Sequence, residues 1–207
     1  LFALGGYTID KYCKPGLRYI ILISIIILEI PFLPISLHFL NYDQVAQYTK
    51  KVAATTNRWE DGKVHNIPQD YADMTGWKDL SEIVMHYYNS LSEEEQEDCI
   101  IFTDNYGQAG AIYFYGKRAG LPRPISFSDN FVLWAPASLT ASSVIYVNDR
   151  KADVSHLFGK IEKIGQVQNK YFREDGLKVY YCTHPIGNFE SVYRQKIDSL
   201  KMVYQRF

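Results

Sequence analysis

The chain has 207 residues, of which 47% are hydrophobic and 22% charged, with a formal net charge of −1. That length fits one ordinary domain plus an appendage. The near-neutral balance offers no concentrated basic face to neutralise phosphates, which argues against a nucleic-acid binder.

The chain opens Leu1-Phe2-Ala3-Leu4-Gly5-Gly6, without an initiator Met or a charged n-region. It reads as a fragment whose first residues close an earlier apolar helix and lead into a loop. Residues 1–18 are expected on the cytoplasmic side as that loop, and residues 19–38 as a transmembrane helix. Tyr19 to Ile35 is a 17-residue apolar run with one charge, Glu29, and prolines at Pro31 and Pro34. About 20 residues are needed to span, and Leu33–Leu40 extends the run. A carboxylate in hydrocarbon is costly, so Glu29 suits one helix of a bundle better than a solitary anchor. A signal peptide fits poorly, because 18 residues precede the run and no small-x-small cleavage site follows it. Lys11, Lys14 and Arg18 lie before the span, and the next Lys or Arg is Lys50. The positive-inside rule then puts residues 41–207 outside, as an extracytoplasmic soluble α/β domain. There is no Asn-x-Ser/Thr sequon.

Asn41 to Lys51 reads as a short helix and Val52 to Asn66 as a polar loop. Lys78 to Ser90 carries Leu80, Ile83, Val84 and Tyr87 at i, i+3, i+4, i+7, the stripe of a helix packed on a sheet. Ser92-Glu93-Glu94-Glu95 is a capping box. Cys99 to Thr103 is a continuous apolar run, as in a strand covered on both faces. Asp104 to Ala111 follows as a loop, then helix-like Ile112 to Arg118 and a Gly/Pro turn over Gly116 to Pro124. Ile125 to Phe127 reads as a short strand, Phe131 to Trp134 resumes the apolar pattern, and Ser143 to Val147 is a second clear strand. A short helix over Val154 to Phe158, strands at Ile161–Tyr171 and Leu177–Thr183, and a turn at Arg173–Gly176 complete the middle. Phe189 to Tyr204 starts as a helix, with a C-terminal end that strand would also fit. Helices alternating with strands predict an α/β fold: a Rossmann-like three-layer domain with a mostly parallel sheet, preceded by one transmembrane helix.

The three cysteines, Cys13, Cys99 and Cys182, form no CxxC and no secreted framework. They read as free thiols, and a Cys99–Cys182 bridge requires neighbouring strands. The five histidines are scattered without ligand spacing, so no metal site is expected. Gly107-Gln108-Ala109-Gly110 has neither the G-x-G-x-x-G spacing nor a following G-K-[ST]. Its place after a strand still matters, because parallel sheets bind ligands beyond the carboxyl ends of their strands. Asp104, Asn105, Tyr106 and Gln108 bring hydrogen-bonding groups and an aromatic ring there. Trp134 is a candidate stacking platform, as is Trp77. Asp70 and Asp73 read as capping or surface residues. No G-x-S-x-G elbow occurs, and no catalytic residue is assigned.

Pro68 through Pro136 resembles the extracytoplasmic C-terminal domain of glycosyltransferase 39-type bacterial membrane proteins, relatives of the dolichyl-phosphate-mannose–protein mannosyltransferases. The pieces are Gln69-Asp70-Tyr71-Ala72-Asp73-Met74-Thr75-Gly76-Trp77, Asp104-Asn105-Tyr106-Gly107-Gln108-Ala109-Gly110-Ala111, Gly116-Lys117-Arg118-Ala119-Gly120-Leu121-Pro122 and Asn130 through Trp134. The apolar segment with its proline-rich exit is similar to that family's last transmembrane helix. The resemblance implies a polytopic enzyme of the bacterial inner membrane that moves a sugar from a polyprenyl-phosphate donor to an acceptor outside the cytoplasm. Its catalytic acids, and any divalent metal, belong to an external loop absent from this chain, so no cofactor is expected here. This part would be accessory, binding the acceptor or covering the active site through Asp104, Asn105, Tyr106, Gln108 and Trp134. The implied partners are the lipid bilayer, upstream transmembrane helices, and a glycan, peptide or lipid-linked sugar. The alternative is a non-catalytic membrane-anchored module that binds a peptide or envelope glycan.

Overall fold

A computed structural model describes residues 2–52, 54–149, 154–187 and 189–204. The chain divides into two compact units, residues 1–71 and residues 72–207.

In the first unit the expected loop at 1–18 is largely helical. Helix α1 runs Phe2–Tyr12 and α2 runs Pro15–Glu29. The break between them belongs to Pro15, which holds Lys14 extended at ψ 151°. Arg18 bridges the break, donating from Nε to the Cys13 carbonyl at 2.8 Å and pairing with Asp10. After α2, a 3₁₀ turn at Ile30–Phe32 leads into α3, Leu33–Ser36. Pro31 and Pro34 lack N–H groups, which removes donors from the helical ladder, and Leu33 instead donates to Ile30. Pro15–Ser36 is still a 22-residue helical rod, long and apolar enough to cross a membrane, and no residue of its apolar window is buried. At 1.5 Å per residue it measures about 33 Å, against a hydrocarbon core of about 30 Å. Two tyrosine hydroxyls donate to carbonyls at its end, Tyr48 to Pro31 at 2.7 Å and Tyr71 to Ile35 at 2.5 Å. Helix α4, Tyr42–Val52, is capped reciprocally by Asn41 and Gln44. The expected loop beyond it is more ordered than its composition suggests. A 3₁₀ turn at Ala54–Asn57 precedes a bridge between Arg58 and Val64, and Trp59 stacks on His65 at 3.6 Å. The short helix α5, Gln69–Ala72, ends this part.

The second unit is a five-stranded sheet: β1 Cys99–Thr103, β2 Ile125–Ser126, β3 Ser143–Val147, β4 Phe158–Gln166 and β5 Lys178–Pro185. Its spatial order is β2-β1-β3-β5-β4. β1 is parallel to β2 and β3, while β5 is antiparallel to β3 and β4, so four strands run one way and β5 alone opposes them. The expected α/β class and mostly parallel sheet are therefore present. Helices α6 (Trp77–Tyr88), with α7 (Glu93–Glu97) behind it, and α8 (Tyr106–Gly116) bury Leu80, Val84 and Ile112 against Ile101, Ile145 and Val147. On the other face α9 (Phe131–Trp134) and α10 (Phe189–Tyr204) bring Val132, Tyr193 and Ile197 toward Ile100 and Phe102. Alternate residues of β1 and β3 thus feed opposite cores, as pleating dictates. Tyr193 fastens α10 by donating to the Pro136 carbonyl at 2.7 Å, and burial pushes its pKa up to about 12.

Several boundaries differ from the sequence reading. Helix α8 starts at Tyr106, six residues earlier than expected, because Asn105 accepts from the Gln108 N–H and caps it. Residues 154–157 form turns rather than a helix, Phe158 already belongs to β4, and residues 150–153 lie outside the described set. β4 stops at Gln166 and does not reach Tyr171. α10 stays helical to Tyr204, so its end is not a strand. Cys99 and Cys182 cannot pair: β3 separates their strands and they feed opposite cores. Neither is in a disulfide, and burial raises the Cys99 pKa.

Candidate functional site

The chain leaves β1 through α8 to reach β2 on one side, and leaves β2 through α9 to reach β3 on the other. These connections cover opposite faces, so β1 and β3 part at a topological switch point, where open α/β sheets leave a crevice beyond their carboxyl ends. Asp104 follows β1 and Asp149 follows β3, both exposed at that crevice. Asp104 is held by its backbone, whose N–H donates to the Val147 carbonyl at 3.2 Å.

A third carboxylate comes from far along the chain. The β4–β5 connection is fastened over the start of α6. Asn169 donates to Thr75 Oγ1 and Asp79 Oδ2, Phe172 meets Trp77 edge-on at 4.9 Å, and Arg173 pairs with Asp73 at 3.2 Å. Gly76 makes this seating work. Its φ is +83°, and a β-carbon there would overlap the Phe172 ring. The seated loop delivers Glu174 to the N-terminus of α8. Asn105 Nδ2 donates to one oxygen at 2.9 Å and Gln108 Nε2 to the other at 2.7 Å. Gln108 is only 2% exposed, and its own Oε1 accepts the Asp104 N–H at 3.1 Å. Both ends of that amide are committed, so its rotamer is fixed. The helix dipole adds to the attraction for Glu174.

Glu174, Asn105 and Arg173 line two adjoining hollows. The polar one, about 500 Å³, continues along Asp104, Gln108, Asp149 and Asp175. The aromatic one, about 810 Å³, runs past Trp77, Tyr106, Phe114 and Phe131. Tyr106, Gly110 and Phe114 recur every four residues on one side of α8. Gly110 leaves a notch with open space above it, and the flanking rings stand about 12 Å apart along the helix. A fixed carboxylate thus sits where hydrogen-bonding groups meet aromatic faces. That combination suits a polyhydroxylated ring, whose hydroxyls need acceptors and whose C–H faces need apolar contact.

Among the sequence candidates, Asp104, Asn105 and Gln108 come together in the polar hollow and Tyr106 in the aromatic one. Asn105 and Gln108 spend their side chains on α8 and Glu174, which makes them positioning groups. Trp134 lines neither hollow. It packs on Phe131 at 5.1 Å and lies under the Arg123 guanidinium at 5.1 Å. Glu174 was readable only as part of a turn, because its partners lie 66 and 69 residues away. Among the described residues, no three His, Cys, Asp or Glu side chains converge to hold a metal ion. Comparison with family models, with curated proteins and with solved structures returns no match to this chain.

Proposed function

We propose that this chain is the C-terminal accessory part of a polytopic glycosyltransferase of the bacterial inner membrane that uses a polyprenyl-phosphate sugar donor. In this reading residues 15–36 are its last transmembrane helix. Residues 72–204 are a Rossmann-like three-layer domain on the extracytoplasmic side that binds the acceptor. The observation that carries the reading is Glu174, clamped by Asn105 and Gln108 between a carboxylate-lined hollow and an aromatic one. The sequence pieces that resemble the family include both sides of this arrangement, the Asp104–Ala111 segment and the Gln69–Trp77 segment on which the Glu174 loop is seated. An apolar rod of 22 residues with no buried residue in its apolar window supports the membrane assignment.

The test is sugar transfer by the full membrane protein carrying Glu174→Gln, which keeps shape and removes charge. A hydrogen bond to a charged group is worth about 1.5–3 kcal/mol, so the acceptor KM should rise about tenfold or more, with kcat changed far less. An unchanged acceptor KM removes the acceptor-binding role. A full-length protein with no spans upstream removes the glycosyltransferase and leaves an anchored binding module.

A further inference from the structure

Among the described residues of 72–204, ten large apolar side chains are exposed, and five of them belong to α8 and α9: Tyr106, Phe114, Tyr115, Leu133 and Trp134. Phe114 is 71% exposed and Trp134 53%, values far from those of the core. The rings are joined: Phe114 lies 5.0 Å from Tyr115, both line one hollow with Phe131, and Phe131 lies 5.1 Å from Trp134. Cations frame them. The Arg123 guanidinium sits 5.0 Å over Tyr113 and 5.1 Å over Trp134, and the Lys117 ammonium sits 5.7 Å over Tyr113. Between residues 111 and 134 the chain carries Lys117, Arg118 and Arg123 against one acid, Asp129, although its overall charge is −1.

A contiguous exposed apolar patch marks a contact surface. A partner here must accept bare phenylalanine and leucine, tolerate tryptophan and tyrosine at a polar boundary, and carry negative charge. The boundary of an anionic bilayer meets all three conditions. A glycan leaves Leu133 unexplained, and an acidic protein would need its own fitted apolar pockets for these rings, which a bilayer boundary supplies everywhere. We propose that the α8–α9 face docks on an anionic lipid surface, with Phe114, Leu133 and Trp134 entering the headgroup boundary and Lys117, Arg118 and Arg123 meeting lipid phosphates. This goes beyond acceptor binding: Phe114 is shared with the aromatic hollow, whereas Leu133, Trp134, Lys117, Arg118 and Arg123 line neither hollow, so the two readings fail separately.

The test uses the whole chain in nanodiscs, with Cys13→Ser and Leu133→Cys to place one nitroxide, Cys99 and Cys182 being buried. In discs of phosphatidylcholine with about one-third phosphatidylglycerol, the label's accessibility to an aqueous nickel chelate should fall about threefold relative to phosphatidylcholine alone. The fall should vanish in Lys117→Glu/Arg123→Glu, and in about 0.5 M salt for the unreversed chain, which does not depend on a variant folding. A label at Lys160→Cys, on the sheet edge opposite β2, should stay accessible throughout. Equal accessibility at 133 in both lipids, or a fall that survives both charge reversal and salt, overturns the proposal. Binding of a soluble protein or glycan at this face would give the first of these results.

Discussion

β3 and the rod at residues 15–36 are both predominantly apolar, yet they end in opposite surroundings. All five residues of β3 are buried, by α8 and α6 on one face and by α10 and β5's neighbours on the other. Along the rod no residue is buried, and Ile20, Ile26 and Leu28 are 62%, 55% and 69% exposed. Apolar content does not separate the two segments. Length and period do. Five residues of strand present two narrow faces that flanking helices can cover, whereas six turns of helix present apolar surface on every side. A helix apolar on every side and of this length is long and apolar enough to cross a membrane.

Substitutions of equal chemistry should therefore have unequal consequences. Ile145→Ala opens a cavity beneath a side chain with no exposure and should cost the sheet unit about 2–5 kcal/mol. Ile26→Ala removes the same atoms from the rod and should leave unfolding of residues 72–204 within about 0.5 kcal/mol of the parent. Urea titration in detergent, followed by tryptophan fluorescence in a Trp59→Phe background, reports Trp77 and Trp134 of the sheet unit. Equal losses would break the distinction between the two runs.

The same contrast explains what the sequence made legible. Short-range patterns were readable because their causes are local: the α6 stripe, the Ser92–Glu95 box and the β1 and β3 runs each act within one turn or one strand. The early start of α8 was missed because Gly107 and Gly110 suggest a loop, and the Asn105 cap outweighs their poor propensity. The cleft's position followed from strand-then-helix order, and Asp104 and Tyr106 line it. Glu174 was invisible because its meaning depends on Gly76 admitting Phe172 and on Arg173 reaching Asp73, contacts across about a hundred residues. Residue type and the resemblance both point Trp134 at a ligand, whereas its neighbours are Phe131 and Arg123.

Glycines sharpen the comparison at smaller cost. Gly76→Ala combines a left-handed φ with overlap on Phe172 and should destabilise the sheet unit by about 1–3 kcal/mol. It should also loosen the Glu174 loop, seen as faster amide exchange at residues 172–176. Gly16→Ala, where a β-carbon meets nothing within 4 Å, should be neutral or slightly helix-favouring. A silent Gly76→Ala would mean that the loop is not fastened as the geometry requires.

One contribution of acid to the sheet unit traces to a named group. The Glu95 carboxylate accepts from the Ser92 backbone N–H at 2.9 Å and from its hydroxyl at 2.9 Å, and these bonds hold its pKa below the ordinary 4.5. A carboxyl lowered on folding contributes stability that is complete above its unfolded value and is lost as pH falls through the folded one. The parent should therefore lose stability as pH drops below 4.5, and Glu95→Gln should show a shallower loss over the same range. Glu95 is exposed, so the difference will be the smallest of the effects described, best read as converging urea midpoints at acid pH. Parallel midpoint curves for the two proteins would show that the capping box sets where α7 starts without adding to the pH dependence of the fold.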